Sequence, residues 1–186
     1  SYKKVDEDTW LEYAEYSEVN GERKKTAIAY TQIGIKQKNP DSQIVYYEKA
    51  ISIMPEYFLP YYLSGSSFFT NGQPHKAIER LQKAIKLRPD YFLAYHILGL
   101  AYELIGLYDN AIKQYLIVIE QNSKYYEAYV QLGKAYEKKE EFDKAIKYYE
   151  KAVNLKLQDS EKHISSNTTF AVKDDMGKII ENHLKM

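Results

Sequence analysis

The strongest constraint in this sequence is a period of 34 residues. YHILGLAY carries Tyr95, Leu98, Gly99 and Tyr102, and YVQLGKAY carries Tyr129, Leu132, Gly133 and Tyr136 at the same spacing. Downstream, NAIKQY and KAIKYY repeat the relationship with Ala111 and Tyr115 against Ala145 and Tyr149. One period upstream stand Tyr61, Gly65, Phe68, Ala77 and Leu81, with Ser64 in place of the leucine. A fixed period of this length marks an array in which each supersecondary unit buries its apolar face against its neighbours.

Inside each unit the apolar residues fall at i, i+3, i+4 and i+7, one face of a helix, and the small residue sits where a second helix approaches closely. Breaks come at Asn71-Gly72, at Gly106 and Asp109, and from Glu140 to Asp143, with Pro55 and Pro89 beyond the second helices. Each unit therefore reads as a helical hairpin. Ser123 and Leu157 replace the proline in the last two units, which removes a helix stop and no packing.

These residues resemble the tetratricopeptide repeat, with its W-x2-L-G-x2-Y, A-x3-F and late Pro pattern. The resemblance implies an all-α, right-handed superhelical solenoid of antiparallel helix pairs, about four repeats with an extra helix at each end. The repeats are expected at 58–91, 92–125 and 126–159. Upstream, residues 41–55 match a second helix, whereas 7–40 form a competing frame half a repeat out of step, with Trp10, Ala14, Gly21, Thr26 and Tyr30 near the expected offsets. Alternation of inner and outer helices favours a degenerate repeat at 24–57, preceded by a helix at about 8–20 within an N-terminal cap at 1–23. That repeat has Ala27 and Gly34 where large residues are expected.

After Leu157 the chain reads QDSEKHISSNTTF, expected as a polar linker at 160–170. Beyond it, 171–186 places Val172, Met176, Ile179, Ile180 and Leu184 on one face of an amphipathic helix, although Gly177 costs about 1 kcal/mol relative to Ala. Three roles stay open for that helix: capping the last repeat, filling a groove, or docking on another protomer.

Composition narrows the function. Lys plus Arg and Asp plus Glu both number 26, so the net charge is zero, and without a dense basic run nucleic acid is an unfavourable partner. With no cysteine there is neither disulfide framework nor thiolate chemistry, and the redox compartment stays undetermined. No apolar run approaches the roughly 18 residues needed to cross a bilayer, so membrane insertion is not expected. The start SYKKVDEDTW lacks an apolar signal core, which slightly favours the cytoplasm, though beginning at Ser leaves room for a removed signal or anchor. His75, His96, His163 and His183 lack metal spacing and are expected on the surface or in a groove. Lys and Glu alternation in EKKEEFDKAIKYYEK reads as solvated i, i+4 pairing. No catalytic constellation, metal or cofactor is expected.

The resemblance directs attention to the first helices, whose positions 2, 5, 6, 9, 12 and 13 line a concave groove in this family. Those positions are Leu59, Tyr62, Leu63, Ser66, Phe69 and Thr70; then Leu93, His96, Ile97, Leu100, Glu103 and Leu104; then Glu127, Val130, Gln131, Lys134, Glu137 and Lys138. The degenerate repeat offers Lys25, Ile28, Ala29, Gln32, Ile35 and Lys36. A subfamily that grips chaperone C-terminal carboxylates uses Lys, Asn and Arg at such positions. Tyr62, Ser66, Ile97, Glu127 and Gln131 do not match it, and apolar side chains cannot satisfy a buried carboxylate. The expected partner is an apolar peptide or amphipathic helix, anchored at Tyr62, Phe69 and Leu100, in a non-catalytic adaptor or scaffold. Two alternatives remain: Leu63, Ile97 and Leu100 as ordinary packing residues, and a groove filled by the chain's own C-terminal helix, in an autoinhibited adaptor or a self-assembling scaffold.

Overall fold

The computed structural model describes residues 7–163, and among them every regular element is an α-helix. The chain divides into two compact units, Ser1–Ile105 and Gly106–Met186. The first contains α1 (Glu7–Val19), α2 (Arg23–Lys36), α3 (Pro40–Ile53), α4 (Phe58–Thr70), α5 (Pro74–Leu87) and α6 (Phe92–Leu104). The second contains α7 (Tyr108–Gln121), α8 (Tyr126–Lys138) and α9 (Phe142–His163). The fold is an all-α helical repeat. Because α9 runs to His163, residues 160–163 are helical, unlike the linker expected from residue 160. The remaining linker and the expected helix at 171–186 lie outside the described residues.

Pro40 and Pro74 each open a second helix, where a fixed φ helps and the missing N–H costs no helical bond. The turns within pairs repeat as well: Gly72, Gly106 and Glu140 have φ of 68, 76 and 61°, a left-handed conformation that glycine adopts freely and glutamate does not.

In the first unit, one cluster joins Ala14 of α1, Ala27, Ala29, Tyr30 and Ile33 of α2, and Ala50 of α3. The unexpected Gly34 has a physical reason. A Cβ there would stand 2.5 Å from Cε1 of Tyr47, so the glycine lets that ring lie on α2. The close approach thus falls three residues later than the position equivalent to Gly65, where Thr31 is buried and donates its hydroxyl to Ala27 O at 2.7 Å. A second cluster joins Phe68, Ala77, Leu81, Ala94, Leu98 and Ala101 across α4, α5 and α6.

Ser64, the departure from leucine, has a role between these clusters. It is fully buried and donates to Glu48 Oε1 at 3.1 Å, while Arg80 grips the same carboxylate with Nε at 2.9 Å and Nη2 at 3.1 Å. Ser67 donates to Gln43 at 2.7 Å and Asn71 to Asp41 at 2.6 Å, so the α3–α4 seam is stitched by polar groups along its length.

In the second unit, Ala128, Leu132 and Ala135 of α8 are buried, as are Ala145 and Ala152 of α9. Tyrosines at the α8–α9 contact lay their rings between the helices. Tyr149 donates to Glu137 at 2.7 Å, and Tyr136 stacks on Tyr148 with ring centroids 5.4 Å apart.

Candidate interaction surface

Spacing of three and four residues puts Leu59, Tyr62, Leu63, Ser66 and Phe69 on one face of α4, and Leu93, His96, Ile97, Leu100, Glu103 and Leu104 on one face of α6. All are half-buried except His96, which is buried, and Leu104, which is 59% exposed. Tyr62, Phe69 and Ile97 pack against the α4–α6 cluster, so their inner edges belong to the core. Leu100 follows Ile97 on the same face and is half-buried. These residues therefore pack into the core with one side and stay partly exposed on the other.

The repeat-defining residues lie deeper. Tyr61, Gly65, Ala77, Leu98 and Gly99 are buried, as are Ala111, Tyr129, Leu132, Gly133 and Ala145, whereas Tyr95, Tyr102 and Tyr136 are half-buried.

Electrostatics separate the helices. α4, FLPYYLSGSSFFT, has no Asp, Glu, Lys, Arg or His, and α6 has only His96 and Glu103. Burial holds His96 neutral down to about pH 4, so it carries no charge in the physiological range. Its burial also corrects the expectation of a surface or groove histidine: at 8% exposure it is largely enclosed. Ala29 is corrected in the same way, because on α2 it lies wholly within the core, while Ile35 of that helix is exposed. In the second unit, α8 presents half-buried Glu127, Val130 and Gln131 together with exposed Lys134, a mixed and partly charged face.

Next to Tyr62 lies an aromatic group that sequence reasoning missed. Tyr91 meets Tyr62 edge-on at 4.9 Å and Phe58 at 5.2 Å, and the Arg88 guanidinium lies 4.7 Å from the Phe58 ring centre. Two periods later, Lys156 stands 5.5 Å over Tyr126, at the positions equivalent to Arg88 and Phe58. The signal was present in the sequence as a cation 30 residues after an aromatic at the start of a repeat. Among the described residues no cluster suits a metal ion, and no helix is long and apolar enough to cross a membrane.

Comparison with known proteins places these repeats. A family model for the "TPR repeat" matches residues 65–106, and one for the "Tetratricopeptide repeat" matches 93–125 and 126–159. No curated protein matches the sequence. Among solved structures, a crystal structure of MamA protein shares 25% identity with a TM-score of 0.69, covering 86% of this chain and 97% of that one. A second MamA crystal structure shares 27% identity with a TM-score of 0.69, covering 80% and 96%. YrrB, described as a TPR protein with an unusual peptide-binding site, shares the fold at 23% identity and a TM-score of 0.66, covering 82% and 88%.

Proposed function

Because this chain belongs to the tetratricopeptide-repeat family, we propose that it is a non-catalytic interaction adaptor whose α4 and α6 faces receive an apolar peptide or amphipathic helix. The observation that carries this reading is the uncharged α4 face beside α6, with Tyr62, Leu63, Phe69, Ile97 and Leu100 half-buried. Such a face gains by removing apolar area from water and cannot neutralise an anion. Tyr62, Ser66 and Ile97 stand where a carboxylate clamp needs Lys, Asn or Arg. Tyr62, held edge-on by Tyr91, is a preorganised aromatic anchor. YrrB contributes the fold to this comparison, and the ligand chemistry is argued from these side chains.

The test is fluorescence anisotropy with two labelled peptides, an amphipathic apolar helix and an acidic peptide with a free C-terminal carboxylate. Binding of the first, weakened at least about tenfold by Leu63→Glu and by Leu100→Glu, is the expected result. Equal affinity in Leu63→Glu, or preference for the acidic peptide, overturns the reading. Removal of residues 164–186 separates the self-filled alternative, which requires affinity to rise.

A further inference from the structure

Charge is spread unevenly over the second helices. α5 carries Lys76, Arg80, Lys83 and Lys86, and Arg88 caps its end, against one carboxylate, Glu79. Both arginines are committed within the fold. Arg80 holds Glu48 through Nε at 2.9 Å and Nη2 at 3.1 Å and draws in Glu79 through Nη1 at 3.0 Å, while Arg88 pairs with Asp90 at 3.5 Å. Lys76, Lys83 and Lys86 are exposed, and among the described residues none of them forms an ion pair. Lys76 lies 5.4 Å from the Phe68 ring centre and Lys83 6.0 Å from that of Tyr61, contacts that hold a cation in place without neutralising it.

Two of these lysines border a hollow. Tyr61, Glu79, Arg80, Gln82, Lys83 and Lys86 line about 420 Å³ on the α4–α5 surface, with the buried Tyr61 ring at its base. The shape is a product of the repeat: two periods later, Tyr129, Lys147, Tyr148, Glu150, Lys151 and Asn154 line a hollow of about 360 Å³. The chemistry is not. At the positions of Arg80, Gln82 and Lys86 that second hollow has Tyr148, Glu150 and Asn154, so packing does not demand the basic lining found on α5. Glu56, whose charge reaches Tyr61, is not among the residues lining the hollow.

We propose that this face of α5 docks an acidic segment of a partner protein, with one carboxylate side chain in the hollow, held by Lys83 and Lys86, and a second meeting Lys76. Charge complementarity selects the occupant. From Lys76 to Lys86 is about 15 Å of helix, and over that length the unpaired lysines set the local potential while Glu48 and Glu79 are drawn to Arg80. That length suits a short peptide, whereas nucleic acid needs a longer basic track. Every exposed side chain of α5 is polar, which leaves nothing apolar to enter a bilayer. Lysines already laid against rings lose less freedom when a carboxylate binds. The site shares no residue with the α4 and α6 faces, so it and the apolar-peptide reading fail independently.

The experiment is fluorescence anisotropy on the full chain with a labelled, C-terminally amidated peptide of alternating glutamate and glycine, at low and at physiological salt. The expected result is binding at low salt that weakens as salt rises, and a loss of at least about tenfold in affinity when Lys83→Glu and Lys86→Glu are combined. Lys83→Gln with Lys86→Gln, which removes charge without reversing it, should lose affinity in the same direction by less. Lys151→Glu, in the hollow at Tyr129, and Leu63→Glu, on the α4 face, should bind the peptide as the parent does. No binding at low salt overturns the proposal, as do a double variant that binds like the parent and an equal loss in Lys151→Glu. Salt-sensitive self-assembly in light scattering, abolished by the double variant, assigns the face to a second copy and overturns it as well. So does cosedimentation of the parent, and not of the double variant, with phosphatidylserine vesicles while the peptide stays unbound.

Discussion

Gly133 and Tyr149 approach so closely that a Cβ on the glycine would stand 2.5 Å from the ring's Cε1 and 2.8 Å from Cζ. The contact brings α8 and α9 together within the second unit, and the Tyr149 hydroxyl is fixed by its bond to Glu137 at 2.7 Å. Gly133→Ala is therefore expected to lower stability by about 1–3 kcal/mol through overpacking. Urea denaturation checks the value. Combining it with Tyr149→Leu should give less than the sum of the two single losses, as expected for residues in direct contact.

Glu140 occupies the turn position held by Gly72 and Gly106, with a φ of 61°. Glu140→Gly relieves the left-handed strain but adds freedom to the unfolded chain, for a net gain of about 0.5–1 kcal/mol. Calorimetry should show a higher Tm, by about 1–4 °C.

His96 supplies a pH dependence. Its folded pKa is lowered by burial to about 4 from an ordinary 6.5. Above pH 6.5 the imidazole is neutral in both states and contributes no slope. As pH falls through the window from 6.5 to 4, the unfolded chain takes up a proton that the folded chain refuses, so stability declines. The loss levels off below pH 4 at about 3 kcal/mol. Denaturant melts at pH 7, 5.5 and 4 should show this decline, and His96→Asn should remove that portion of it.

Restoring the family leucine at the anomalous serine is expected to harm this protein. Ser64→Leu takes a hydroxyl from Glu48 and crowds the carboxylate that Arg80 holds at 2.9 Å. A loss of about 1–3 kcal/mol follows, although the Arg80 and Glu48 side chains remain 27% and 35% exposed, which moderates the ion-pair share. A thermal melt of Ser64→Leu equal to that of the parent would contradict the structural role assigned to this serine.

Much of the fold was legible because glycine, alanine and tyrosine recur at helical spacing, and that pattern survives drift at single positions. Thr31 and Gly34 show where it failed. The close approach in α2 moved by three residues, nearly one turn, and a fixed-period reading placed Ala29 in a groove although it lies in the core. His96 was misplaced for a related reason: helical spacing assigns a face, while burial depends on what neighbouring helices lay over that face. The Arg88 and Phe58 contact escaped because cation and ring are far apart in sequence and meet only when the hairpin closes.

The bonded trio of Glu48, Ser64 and Arg80 bears on how such an array can evolve. Tandem duplication normally makes units that can be copied, lost or reordered with little penalty, since every junction is the same apolar contact. Here one junction has its own vocabulary. A unit carrying Leu98 or Leu132, placed after α3, would offer Glu48 no hydroxyl, and Arg80 moved elsewhere would bring a guanidinium without its carboxylate. The first two units are thereby bound to one order, and recombination within this chain is steered toward the more uniform repeats that follow.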